Sequence, residues 1–145
     1  MNYGRTLERY QKTSIETSNK LDLVIMCYDK AIECFTRARE HYSQKEYEKK
    51  GLAVQKGLDI IGQLQCSLDM ENGGEIAANL DRLYSYIAHR VIKGDIRSDL
   101  GVFDEAVSLL KELKAAWEGI AASEGHSVTQ GHASAGHAAT AQVAA

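Results

Sequence analysis

Leu21, Val24, Ile25, Tyr28, Ile32 and Phe35 recur at steps of three and four with polar residues between them, which predicts an amphipathic helix over about residues 19–42. Asn19 is placed to cap its start, with Asp22 three residues on in the manner of a capping box. At 1.5 Å per residue this helix is on the order of 35 Å long. The stretch "SQKE" offers a fresh start, Ser43 as N-cap and Glu46 reaching back to it. A second helix is predicted over about residues 44–71 on Val54, Leu58, Ile61, Leu64 and Leu68. Gly51, Gly57 and Gly62 lie inside it, each at a cost of about 1 kcal/mol relative to alanine, and close approach by a neighbouring helix is the commonest reason to keep them. Asn72, Gly73 and Gly74 tolerate the left-handed conformation that ends a helix, so the chain can reverse there. A third helix follows over about residues 75–93 on Ile76, Leu80, Leu83, Tyr84, Ile87 and Val91, with Gly94 just past its end. A fourth, over about residues 97–119, carries Phe103, Ala106, Leu110, Leu113 and Trp117.

Short connections between long helices force antiparallel neighbours, so the predicted fold is all-α, an antiparallel up-down four-helix bundle over residues 19–120. Two segments stand outside it. The head, residues 1–18, is expected to form a short capping helix around Tyr3, Leu7 and Tyr10 followed by an extended "KTSIET", and is too short to be stable alone. The tail, residues 121–145, has two valines as its only large apolar residues among Ala, Gly, Ser and Thr, and is expected to be disordered.

At 145 residues, with 44% hydrophobic and 26% charged, the chain suits one globular domain. Its net charge of -3, with basic residues interleaved among acidic ones, excludes nucleic acid as a partner. The longest apolar run, Leu23 to Tyr28, is far short of the roughly 20 residues of a membrane span, so no membrane insertion is expected. Three cysteines without a Cys-x-x-Cys pair suit a reducing compartment and a cytoplasmic location. Cys27 and Cys34 share a helix face, but the helix rise separates them by roughly 10 Å, too far for a disulfide.

Helical bundles often hold carboxylate-bridged metals, which ask for Glu-x-x-His pairs, and the chain contains none. His41 and His89 read as structural histidines, while His126, His132 and His137 lie in a tail with no fold to fix a ligand geometry. No phosphate loop follows Gly73-Gly74. No catalytic residues, metal site or cofactor are therefore expected. What stands out is an apolar face wider than a stripe, with Ile25, Met26, Tyr28, Leu80, Leu83, Tyr84, Tyr86 and Ile87. Such a face serves as a groove for an amphipathic partner, as part of a wide core, or as a homodimer contact.

The order "YQKTSIET", "KLDLVIMCYDKAI", "SLDMENGGEIAANLDRLYSYI" and "LLKELKAAW" resembles the flagellar secretion chaperone family, FliS, over about residues 8–119. The resemblance implies a non-enzymatic cytoplasmic chaperone, a monomer or weak homodimer. It would bind the disordered carboxyl-terminal segment of flagellin, prevent premature polymerisation, and deliver the flagellin to a component of the flagellar export gate. It further implies a client-binding groove drawn from Leu21, Ile25, Tyr28, Ile32, Leu80, Leu83, Tyr84 and Ile87. Leu7 and Tyr10 would be contacts of an N-terminal cap over that groove and Ile15 its hinge, while Gly73 and Gly74 would bring the helix of Leu83 and Tyr84 alongside the others. The chain departs from the family pattern in lacking a proline before the first long helix, in Lys30 after Tyr28-Asp29, and in Gly94-Asp95. A helical adaptor or homodimerising bundle with a different protein partner is the alternative.

Overall fold

The computed structural model describes residues 3–130, with side chains over residues 19–123. The described residues form four helices and no strand: α1 (Tyr3–Ser43), α2 (Tyr47–Cys66), α3 (Gly74–Ile96) and α4 (Gly101–Gln130). Helix α1 packs against α2 and α4, and α3 packs against the same two.

Helix α1 begins sixteen residues before the expected cap at Asn19. Asn19 does not begin a helix and "KTSIET" is not extended, because α1 runs unbroken from Tyr3. Between Arg5 and Ser43 there is neither glycine nor proline, and the Ser, Thr and Asn of residues 13–19 weaken a helix only by tenths of a kcal/mol each. The cap side chains Leu7, Tyr10 and Ile15 lie outside the residues whose side chains are described.

The α1–α2 junction is also built differently from the expected capping box. Ser43 is the last residue of α1, and its hydroxyl donates to the Arg39 carbonyl instead of capping α2. Lys45 takes φ 61°, the Lys45 amide donates to the Tyr42 carbonyl and the Glu46 amide to the His41 carbonyl. This is a Schellman closure, which satisfies carbonyls that the last turn leaves open. Glu46 then stands as the N-cap of α2 with no side-chain cap bond, its carboxylate turned to His41 at 3.2 Å and to Lys49 at 3.1 Å.

Helix α2 stops at Cys66 and not near Glu71. The Ser67 hydroxyl donates to the Leu64 carbonyl, and the Asn72 amide and side chain both donate to the Asp69 carboxylate. Local bonds of this kind offer the backbone an alternative to another helical turn. The reversal at Asn72, Gly73 and Gly74 is present, with the left-handed residue, Gly74 at φ +56°, opening α3 and Gly73 as its N-cap.

Helix α3 runs past Gly94 to Ile96 and ends on a second Schellman closure with Ser98 at φ 59°. Gly94 is there for space: a Cβ at this position would lie 2.2 Å from a Val102 methyl. Gly57 answers the same need, since a Cβ there would lie 2.6 Å from the Phe35 ring. Gly51 and Gly62 have nothing within 4 Å of an added Cβ, so close approach accounts for one of the three glycines of α2. Helix α4 continues through Gly119 to Gln130, ten residues into the segment expected to be disordered, and Ala121 and Ala122 are strong helix formers just past that glycine. The rest of the expected tail, residues 131–145, lies outside the described residues.

Cross-links set the helix registers. Phe35 of α1 meets Gly57 of α2, and Arg39 and Asp29 of α1 pair with Asp104 and Lys114 of α4. Lys50 and Gln65 of α2 bond Asp95 and Asp81 of α3, and Glu105 of α4 takes Tyr86 and Arg90 of α3. The core between the helices is apolar, with Tyr28, Tyr84, Phe35 and Phe103 as its largest fully buried side chains.

Candidate functional site

The eight residues expected to line a groove divide into two groups. Leu21, Tyr28, Leu80, Tyr84 and Ile87 belong to the buried core, and Ile25, Ile32 and Leu83 are partly buried against it. Ile25 and Ile32 lie four residues before and three after Asp29, whose pair with Lys114 puts that side of α1 along α4. Leu83 lies three residues before Tyr86, whose bond to Glu105 puts that side of α3 along the other flank of α4. The structure thus does not gather the eight into one open trough. It builds five into the interior and sets three on two seams beside α4.

Tyr28 and Tyr84 meet across the core. Their hydroxyls share a hydrogen bond of 2.5 Å, and the Trp117 indole N–H donates to the Tyr28 oxygen at 3.1 Å. Exposures of 0%, 1% and 4% for Tyr28, Tyr84 and Trp117 make this a sealed polar chain linking α1, α3 and α4. Burial pushes both phenols above the ordinary tyrosine range, most strongly that of Tyr84, so both remain neutral hydrogen-bonding groups at physiological pH. Among the described residues no buried side-chain nitrogen or oxygen lacks a hydrogen-bond partner, which lets three amphipathic aromatics occupy the centre of the molecule.

The apolar surface that stays open lies elsewhere on α1. Leu23 is 59% exposed and Met26 63% exposed, one turn apart. Beside them a cleft of about 260 Å³ opens between α1 and the end of α2. Val24 and Leu64 form its buried floor, Leu23 and Cys27 its walls, and the exposed Lys20, Gln63 and Ser67 its polar rim. Sequence periodicity misses this cleft, because Leu23 and Cys27 fall off the core stripe. The visible signal is the unbroken apolar run from Leu23 to Tyr28, more than one face of a helix can bury. On α3, Tyr86 is half exposed and donates to Glu105, whose carboxyl is held low by that bond and by Arg90.

Among the described residues no three His, Cys, Asp or Glu side chains converge as metal ligands, and no helix is long and apolar enough to cross a membrane. Long helices with an interrupted apolar surface and no convergent reactive groups are the features to set beside known proteins. A family model described as "Flagellar protein FliS" matches residues 3–124. The chain belongs to the FliS family. A "Flagellar secretion chaperone FliSB" of Pseudomonas aeruginosa is 35% identical over 120 residues, covering 80% of this chain and 95% of the relative. FliS-family chaperones of Salmonella typhimurium and Vibrio cholerae are 34% and 31% identical over 119 residues, each match covering 79% of this chain and 88% of the relative. All three FliS relatives are named as secretion chaperones.

Proposed function

We propose that this protein is a cytoplasmic, non-enzymatic export chaperone that binds the disordered carboxyl-terminal segment of flagellin, prevents its premature polymerisation and delivers it to the flagellar export gate. The observation that carries the reading is the open apolar flank of α1, Leu23 and Met26 beside the α1–α2 cleft, on a chain of the FliS family. The helices are read as an antiparallel up-down bundle. In support, as α1 numbering falls from Arg39 to Asp29 its partners on α4 rise from Asp104 to Lys114, and Lys50 and Gln65 of α2 meet Asp95 and Asp81 of α3 in the same inverse order.

A disordered client gives up conformational entropy on binding, so useful affinity requires a large footprint, on the order of 2,000 Å². An extended client wrapped over several helix seams supplies that area without any active site. In this arrangement Ile25, Ile32 and Leu83 touch the client at the seams beside α4, while Leu21, Tyr28, Leu80, Tyr84 and Ile87 hold α1 and α3 in place from beneath. The head, with Leu7 and Tyr10 as contacts, competes for the same surface in a second state in which α1, continuous in this structure, opens at Ile15 as hinge, and it lowers client affinity by the fraction of time it is closed.

Co-expression with full-length flagellin and with flagellin lacking its carboxyl-terminal segment tests the reading. Co-purification of the full-length client alone is the expected result; equal recovery of both would sink it. Removal of residues 1–10 is expected to raise client affinity, and unchanged affinity would eliminate the cap.

A further inference from the structure

Among the described residues, the one charged residue lining the cleft between α1 and α2 is a cation, Lys20. The chain as a whole is acidic, with 20 Asp and Glu against 17 Lys and Arg. Cations of both helices lie along the α1–α2 face, with Glu33 of α1 and Asp59 of α2 as carboxylates near them. Lys20 stands on the cleft rim, and Lys30, Arg37 and Lys56 all act electrostatically on Glu33 and on the Cys34 thiol one residue on. Glu33 is engaged by Lys30 at 3.3 Å and Arg37 at 2.8 Å, and Asp59, three residues after Lys56, accepts from the Gln55 amide at 2.9 Å. Lys20 and Lys56 make no ion pair among the described residues.

We infer that this face is a specificity site for an amphipathic peptide segment of the client, whose one large apolar side chain enters the cleft while flanking carboxylates meet Lys20 at its rim and Lys56 about two turns back along α2 from Gln63. The inference rests on the chaperone reading and deepens it. The cleft, at about 260 Å³, exceeds the roughly 150 Å³ of a cavity that accepts a benzene ring, so a leucine, methionine or phenylalanine side chain fits with room for part of its neighbour. The floor of Val24 and Leu64 supplies apolar contact, and the rim of Lys20, Gln63 and Ser67 supplies donors for an acidic flank. Basic or neutral segments forgo those pairs, and basic ones also set like charge against like. The cations therefore select register and sequence, while the apolar anchor supplies most of the affinity.

The test measures binding of a fluorescent peptide covering the carboxyl-terminal segment of flagellin from the same organism, by anisotropy, at low and high salt. Two charge-reversed proteins are compared, Lys20→Glu with Lys56→Glu, and a control, Lys93→Glu with Lys111→Glu, which changes net charge equally on exposed positions of α3 and α4. The first pair is expected to weaken binding about tenfold at low salt, with the difference shrinking at high salt, and the control to leave it unchanged. Leu23→Ser, at an exposed wall position, is expected to weaken binding at both salts, with circular dichroism checking that the fold is kept. Equal effects of the two charge pairs, no effect of either, or an unaffected Leu23→Ser would overturn the site while leaving the chaperone reading in place. Failure of the unaltered protein to bind the peptide would overturn both.

Discussion

Replacing Tyr28 by phenylalanine probes the sealed polar chain at its middle link. The Tyr28 hydroxyl bonds both Tyr84 and Trp117, so its loss strands two polar atoms in the core, the Tyr84 oxygen and the Trp117 nitrogen. At about 1–3 kcal/mol for each buried group left unsatisfied, Tyr28→Phe should destabilise the fold by roughly 2–6 kcal/mol. Tyr84→Phe removes the end of the chain and leaves the Tyr28–Trp117 bond intact, at a cost of about 1 kcal/mol. In the double variant only the Trp117 nitrogen is stranded, so adding Tyr84→Phe to Tyr28→Phe should cost nothing further or recover part of the loss. The assay is urea unfolding followed by fluorescence of the single tryptophan. With a slope of about 2 kcal/mol/M, a loss of about 3 kcal/mol lowers the midpoint by about 1.5 M. Equal losses for the two single variants, or additive losses in the double, would refute the assignment of Tyr28 as the shared link.

Gly62→Ala, with open space around its Cβ, should stabilise by about 0.5–1 kcal/mol through helix propensity, whereas Gly94→Ala, driven into Val102, should destabilise by about 1–3 kcal/mol; thermal melts of the two separate propensity from space. Ser98→Gly should stabilise by about 0.5–1 kcal/mol in the same melts, because Ser98 holds φ 59° at the α3 closure. In alkali, the folded-state phenols of Tyr28 and Tyr84 lie above their unfolded values, so the stability from keeping them neutral is full below the ordinary value of 10.0 and is lost as pH rises beyond it. Their phenolate absorbance should therefore appear together with loss of near-ultraviolet circular dichroism; ionisation of every tyrosine in an intact fold would contradict this.

The presence of four helices is legible in the sequence because apolar steps of three and four can bury only one face of a helix. Their ends are less legible. Lys45 and Ser98 occupy left-handed closing positions where glycine is the usual signal, and Gly94, which reads as a stop, serves the contact with Val102 inside α3. Asn19 and Ser43 look like caps, yet a cap residue acts only where the chain leaves the helix, and tertiary packing decides where that is. The wide aromatic face of α1 and α3 is visible as a face, but periodicity does not separate an interior from a groove. Tyr28 and Tyr84 are interior because each hydroxyl finds a partner on another helix, and that pairing spans 56 residues of sequence. The cleft beside Leu23 lies where α2 ends at Cys66, and the Ser67 hydroxyl bond to the Leu64 carbonyl at that end is one that no hydrophobic pattern records.

Titration calorimetry of the full chain against a peptide covering the carboxyl-terminal segment of flagellin from the same organism, at several temperatures, measures client binding and its apolar footprint together. An export chaperone with an extended client should bind it one-to-one with a heat-capacity change of about -0.3 kcal/mol/K or larger in magnitude, as expected for a mostly apolar footprint of roughly 2,000 Å². Absence of binding up to the solubility limit of the peptide, or binding with no heat-capacity change, would contradict it.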